Sequence, residues 1–115
     1  MGAPSDILGL GEIRPVEVTD AAAVATLNLS SGYAQYELVA STNRNVDIIN
    51  RTAREGQWIV LCGPDANIVT VRDNQTGSNI HLANGTTSRA LSQYDTLVLR
   101  YQNGFWIEVA FTNAV

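Results

Sequence analysis

Lysine is absent from this 115-residue chain, so all seven of its basic residues are arginines. Arginine offers five fixed donors and is less strongly hydrated than lysine, which suits it to buried or interfacial pairing; a GC-rich coding bias would leave the same trace. Charge of either sign is scarce, at 16% of residues with a net charge of −4, below the usual quarter. The arginines are scattered along the chain and form no basic cluster, which removes the electrostatic footprint of a nucleic-acid binder. Cys62 is the only cysteine, so no intrachain disulfide can form. Set in Trp58-Ile-Val-Leu-Cys62, it reads as a small apolar side chain. No run approaches the ~20 apolar residues of a membrane span, and the first residues lack the charged start and apolar core of a signal peptide. The expectation is therefore a soluble protein made in a reducing cytoplasm, with no membrane and no nucleic acid among its partners.

What the chain does hold is enough apolar residue, 45%, for one globular domain with a real core. Asparagine and threonine occur ten times each, giving a surface of amides and hydroxyls that suits strands and close protein contacts. The strongest local signal is Asp95 to Phe111, two β-branched and aromatic runs joined at Asn103-Gly104, a pair that accepts the positive φ angles of a tight hairpin turn. Leu97, Leu99 and Tyr101 share one face of the first run, and Phe105, Ile107, Val109 and Phe111 one face of the second. Val98, Trp106 and Ala110 then fall on the opposite face, where an isolated subunit would leave Trp106 near water. A hairpin that is apolar on both sides needs cover on both sides, from a second sheet or from another subunit.

Upstream, Tyr33 to Ala40 alternates, with Ala34, Tyr36, Leu38 and Ala40 on one face. Trp58 to Cys62 is a continuous apolar run, read as a strand buried on both faces. Short strands with turn signals every 8 to 12 residues mark an all-β fold. The expectation is a single compact β-sandwich or barrel, jelly-roll-like or β-tulip-like, of about 8–9 short strands over residues 21–115. Residues 1–20 read as an extended N-terminal arm, because Gly9, Gly11 and Pro15 oppose a helix while Ile7, Leu8, Leu10 and Ile13 are too apolar for a solvated tail. A first strand folded back on its own sheet is the competing reading of that segment.

The inventory of reactive groups is thin. With one histidine and one cysteine, a His-based metal cluster or a Cys–His pair would have to use both. His81 lies between Ile80 and Leu82, which face the core, so it points outward as a surface or interface residue. Asp65 and Asp73 lack the ordered spacing of a calcium loop and read as turn formers. Gly9-Leu10-Gly11 has no preceding strand and no third glycine, so it is no nucleotide loop. Neither catalysis nor a metal or other cofactor is expected. Trp58, His81, Val98 and Trp106 are the expected subunit-contact residues.

One resemblance adds to this. Arg54-Glu-Gly-Gln-Trp-Ile-Val-Leu61, Asn67-Ile-Val-Thr-Val-Arg-Asp73, Gly77-Ser-Asn-Ile-His-Leu82 and Asp95 through Glu108 together resemble a β module of tailed-phage structural proteins. That module occurs in trimeric capsid decoration (cement) proteins and in fibre or spike domains. Leu27-Asn-Leu-Ser30 and Tyr36-Glu-Leu38 resemble its early strands. The resemblance implies a homotrimer on the capsid exterior of a virion, bound to the major capsid protein and stabilising the head. The arm residues Ile7, Leu8, Leu10, Ile13 and Arg14 would be the anchor. A receptor- or carbohydrate-binding domain of a phage fibre or spike is the alternative, and a hydrolase using His81 at a subunit junction is more remote.

Overall fold

Apolar runs this short, each stopped by Gly, Asn, Asp or Ser, favour strands over helices. The computed structural model describes residues 11–114. Its strands in order are β1 (Ile13–Glu17), β2 (Thr26–Asn28), β3 (Gln35–Val39), β4 (Arg44–Val46), β5 (Ile48–Asn50), β6 (Trp58–Cys62), β7 (Val69–Arg72), β8 (Ile80–His81), β9 (Ser88–Leu91), β10 (Thr96–Gln102) and β11 (Phe105–Thr112). No helix occurs among the described residues. The fold is all-β, as the alternation and turn signals implied.

The strands are not arranged as the expected sandwich or barrel of 8–9 strands. A six-stranded sheet runs β1-β3-β6-β10-β11-β8, beside a three-stranded sheet β4-β7-β9 and the pair β2-β5. Parallel pairs dominate the first two-thirds: β1 with β3, β3 with β6, β2 with β5 and β4 with β7. Ile13 lies beside Gln35, Gln35 beside Val60, Thr26 beside Ile48 and Arg44 beside Val69. Each return of the chain to the same sheet therefore takes roughly 22–25 residues, the step of a small solenoid. Parallel neighbours cannot be joined by a tight hairpin, so between β3 and β6 the chain passes through β4 and β5 of the other two sheets before it returns.

Polar side chains hold the coils in step. Asn50 donates from Nδ2 to Oδ1 of Asn28 at 2.8 Å. One coil further on, Asn79 accepts from the backbone N–H of Ile49 and donates to its carbonyl, both at 2.8 Å, taking the place of a strand. Asp47 is fully buried and accepts from Arg72 Nε at 2.7 Å, Arg72 Nη2 at 2.8 Å and the Ala25 N–H at 2.8 Å. A buried carboxylate is tolerated only when its oxygens are satisfied in this way. Around these clamps pack Leu27, Tyr36, Leu38, Val46, Ile49, Ile59, Leu61, Val69 and Val71.

The last strands close the coil with antiparallel pairs. β9 runs back along β7, and β10 along β6 and β11. Gly63 marks where the closing segment crosses the coil: a Cβ there would fall 1.9 Å from the Ser92 carbonyl oxygen, so only a bare α-carbon fits. Asp95, at the entry to β10, accepts from the Ser92 N–H, the Ala114 N–H and the Ser92 hydroxyl. Those bonds, the Ser92 and Ala114 amides first, hold its carboxyl below the usual carboxylate range.

The leading segment also departs from expectation. Ile13–Glu17 falls within the expected arm, yet it is β1, paired along its length with β3 as the competing reading of that segment has it, and Val18 just after it lies in the core. Pro15 is accommodated because β1 is the sheet's edge, where a missing N–H breaks no ladder. Ile7, Leu8 and Leu10 lie outside the described residues.

Candidate functional site: the outer face of the large sheet

Strand alternation gives the six-stranded sheet two faces: the inner one is apolar, and the outer one is mixed with an apolar stretch at its centre. Tyr36, Leu38, Ile59, Leu61, Leu97, Leu99 and Trp106 are buried on the inner one. On the outer face the register sets Ile13 beside Gln35, Gln35 beside Val60, Val60 beside Val98 and Val98 beside Ala110. A second row runs Trp58, Arg100, Ile107, His81. Trp58 is 46% exposed and Ile13 52%, with Phe105 also open, while Val60, Val98 and Ile107 are half-buried. From β6 to β11 the face is a band of aliphatic and aromatic side chains interrupted by Arg100, and Gln35 of β3 separates it from Ile13.

Of the four residues expected at a subunit contact, three meet on this face: Trp58, Val98 and His81. The His81 ring lies 4.4 Å from that of Phe105. Trp106 does not join them. It is 1% exposed, on the inner face, with its ring 5.0 Å from that of Tyr101. The correction has a geometric cause. A two-residue turn, with Asn103 at φ 52° and Gly104 at φ 86°, pairs Tyr101 with Trp106, and residues paired across a hairpin share a face. Phe105 and Ile107 therefore point outward. A bulge opposite Val98–Leu99 then shifts the register, so that Glu108 lies opposite Leu99 and Phe111 opposite Leu97. Glu108 is neutralised there by Arg89, whose Nε and Nη2 donate at 2.9 and 2.8 Å, and the Arg89 guanidinium stacks 4.7 Å from the Phe111 ring.

Val60 and Ile107 belong to the face and were not singled out from sequence, although the alternation within Trp58-Ile-Val-Leu-Cys62 separates Ile59 and Leu61 from the other three. That run is buried on one side only, since Trp58 is open and Val60 and Cys62 are half-buried. Of the anchor residues, Ile13 lies on the outer face. Arg14 sits with its guanidinium 5.4 Å over the Tyr33 ring.

Reactive chemistry is sparse here. Burial, with the Glu37 charge adding to it, pushes the Cys62 thiol up, so at neutral pH it is a thiol and a poor nucleophile. No group of three or more His, Cys, Asp or Glu side chains able to hold a metal ion occurs among the described residues. None of the described residues forms a helix long and apolar enough to cross a membrane. No protein-family model matches the chain, and no curated protein matches it either. The arrangement offers a surface for contact, built of greasy strands with satisfied backbones.

Proposed function

We propose that this chain is a virion structural protein, a homotrimer that sits on the outside of a phage head as a decoration protein and stabilises the coat. The observation that carries the reading is the outer face of the large sheet, where Trp58, Val60, Val98 and Ile107 form an apolar band, with Ile13 beyond Gln35, that the described residues leave open or only half covered. Fully covering an exposed aliphatic or aromatic side chain is worth about 1.5–3 kcal/mol, so covering what these side chains leave open favours association, offset by the ordering cost. Three such sheets turned toward a common axis would give each one the second layer that the sequence pattern demanded, between subunits instead of within one. The low charge of the chain and its reliance on arginine fit a surface meant for protein contact. Binding to the shell would then draw on residues 1–10, three copies per trimer, with the gain that multivalency brings.

Two measurements test it. The solution mass should be that of a trimer and should fall to the monomer in Val98→Asp; a monomeric parent protein ends the proposal. Removing residues 1–10, which leaves β1 whole, should abolish co-sedimentation with empty phage heads while the trimer persists. The alternative, a glycan- or receptor-binding module of a fibre or spike, draws on the open Trp58 and on the His81–Phe105 pair. Glycan-array binding that disappears in Trp58→Ala would favour it.

A further inference from the structure

The arginines of this chain fall into two kinds. Arg72 and Arg89 each grip a buried carboxylate with two donors. Arg51 is held as firmly, but only by neutral acceptors: its Nε donates to the Tyr36 hydroxyl at 2.7 Å, its Nη1 to the Thr52 carbonyl at 2.6 Å, and its Nη2 to the Tyr33 carbonyl. Tyr36 is completely buried and its hydroxyl lies 2.6 Å from the Ser30 carbonyl, so the guanidinium rests on a fixed support. Three of its five N–H groups are used. Among the described residues its guanidinium is thus held in place without an ion-pair partner.

It lines a cleft. Between the turn after β2 and the loop joining β5 to β6 lies an open space of about 270 Å³, bounded by Ser31, Gly32, Arg51, Thr52, Arg54 and Gln57. The Arg54 guanidinium meets no acceptor among the described residues. Gln57 accepts the Arg54 N–H through Oε1 at 3.1 Å, which leaves its amide N–H₂ as a donor. Glu55, the one acid in this loop, is drawn off to the hairpin turn, where it accepts the Asn103 N–H at 2.7 Å. Two arginines, a serine, a threonine and a glutamine therefore border one cleft with no Asp or Glu in its lining among the described residues, in a protein whose net charge is −4.

We infer that this cleft binds an oxyanion, a carboxylate, sulfate or phosphate carried on a small ligand. Planar guanidinium forks match such groups in shape as well as charge. The volume is below the roughly 300–1,000 Å³ of sites for drug-sized ligands, so it admits one acid-bearing sugar ring or one headgroup. The site lies on loops apart from the outer face of the large sheet and stands independently of the trimer reading.

The test is an amide NMR titration of the full chain at constant ionic strength with inorganic phosphate, sulfate and glucuronate, and with glucose as the uncharged control. Saturable shifts confined to Ser31, Gly32 and the Arg51–Gln57 loop are expected with at least one of the three anions and none with glucose. Response to glucuronate alone assigns a sugar acid; response to phosphate or sulfate assigns a tetrahedral anion. Arg54→Gln, an exposed change that leaves the Tyr36 support intact, should weaken binding about tenfold, the equivalent of one charge-assisted hydrogen bond. Absence of saturable shifts with all three anions, or binding unchanged in Arg54→Gln, overturns the inference.

Discussion

The two faces of the large sheet are made by the same strands and each carries a tryptophan and branched aliphatic residues, yet one is sealed and the other open. Leu97 and Leu99 are fully buried, while Val98 between them is only half covered; Trp106 is buried and Trp58 is not. Apolar character alone therefore does not decide which side of a strand becomes the interior. The hairpin register does, because a two-residue turn ties Trp106 to the side of Tyr101 and so to the core. The open side is what remains for a neighbour.

The sharpest way to break this comparison is to treat the two tryptophans alike. Trp106→Ala should destabilise the fold by about 3–5 kcal/mol, read as a lower midpoint in urea unfolding. A loss under about 1 kcal/mol would mean the inner face is not where the core lies. Next in size is the turn itself. Asn103 holds a left-handed φ of 52°, so Asn103→Val should lose roughly 1–2 kcal/mol. That variant should retain the same association state if the register survives.

Acid should act on the closing segment. Folding lowers the Asp95 carboxyl below its unfolded value of about 3.9, through the amides of Ser92 and Ala114. Its contribution is therefore complete above that value and is lost as the pH falls through the folded one. Thermal midpoints taken from pH 6 downward should drop more steeply in the parent chain than in Asp95→Asn, and parallel curves would refute the assignment. The smallest effect is expected at Trp58. In the dissociated chain, Trp58→Ala should shift stability by no more than about 0.5 kcal/mol, while weakening self-association measured by sedimentation.

Local features were legible in the sequence. Asn103-Gly104, the inward Ile80 beside the outward His81, and the alternation of Tyr36, Leu38 and Ala40 all depend on neighbours a few residues apart. The winding was not legible, because β2, β4 and β5 are three residues long and three residues display no period. A trace of it was present. An aliphatic residue followed by asparagine occurs at Leu27-Asn28 and again at Ile49-Asn50, the positions that the coils stack. The facing of β11 could also have been worked out, since the length of the turn fixes which residues pair. What no local pattern announced is the bulge that brings Phe111 back inward, or the Arg51 cleft, whose parts come from separate loops.

Pro15 has a consequence beyond its own strand. The rim of the large sheet at β1 would otherwise offer a row of free amides to any passing strand, and a copy could stack on a copy without end. A ring with no hydrogen to give, in the middle of that rim, makes it a poor template. Growth edge to edge is thereby blunted, while the broad greasy flank stays available for a closed assembly of fixed number.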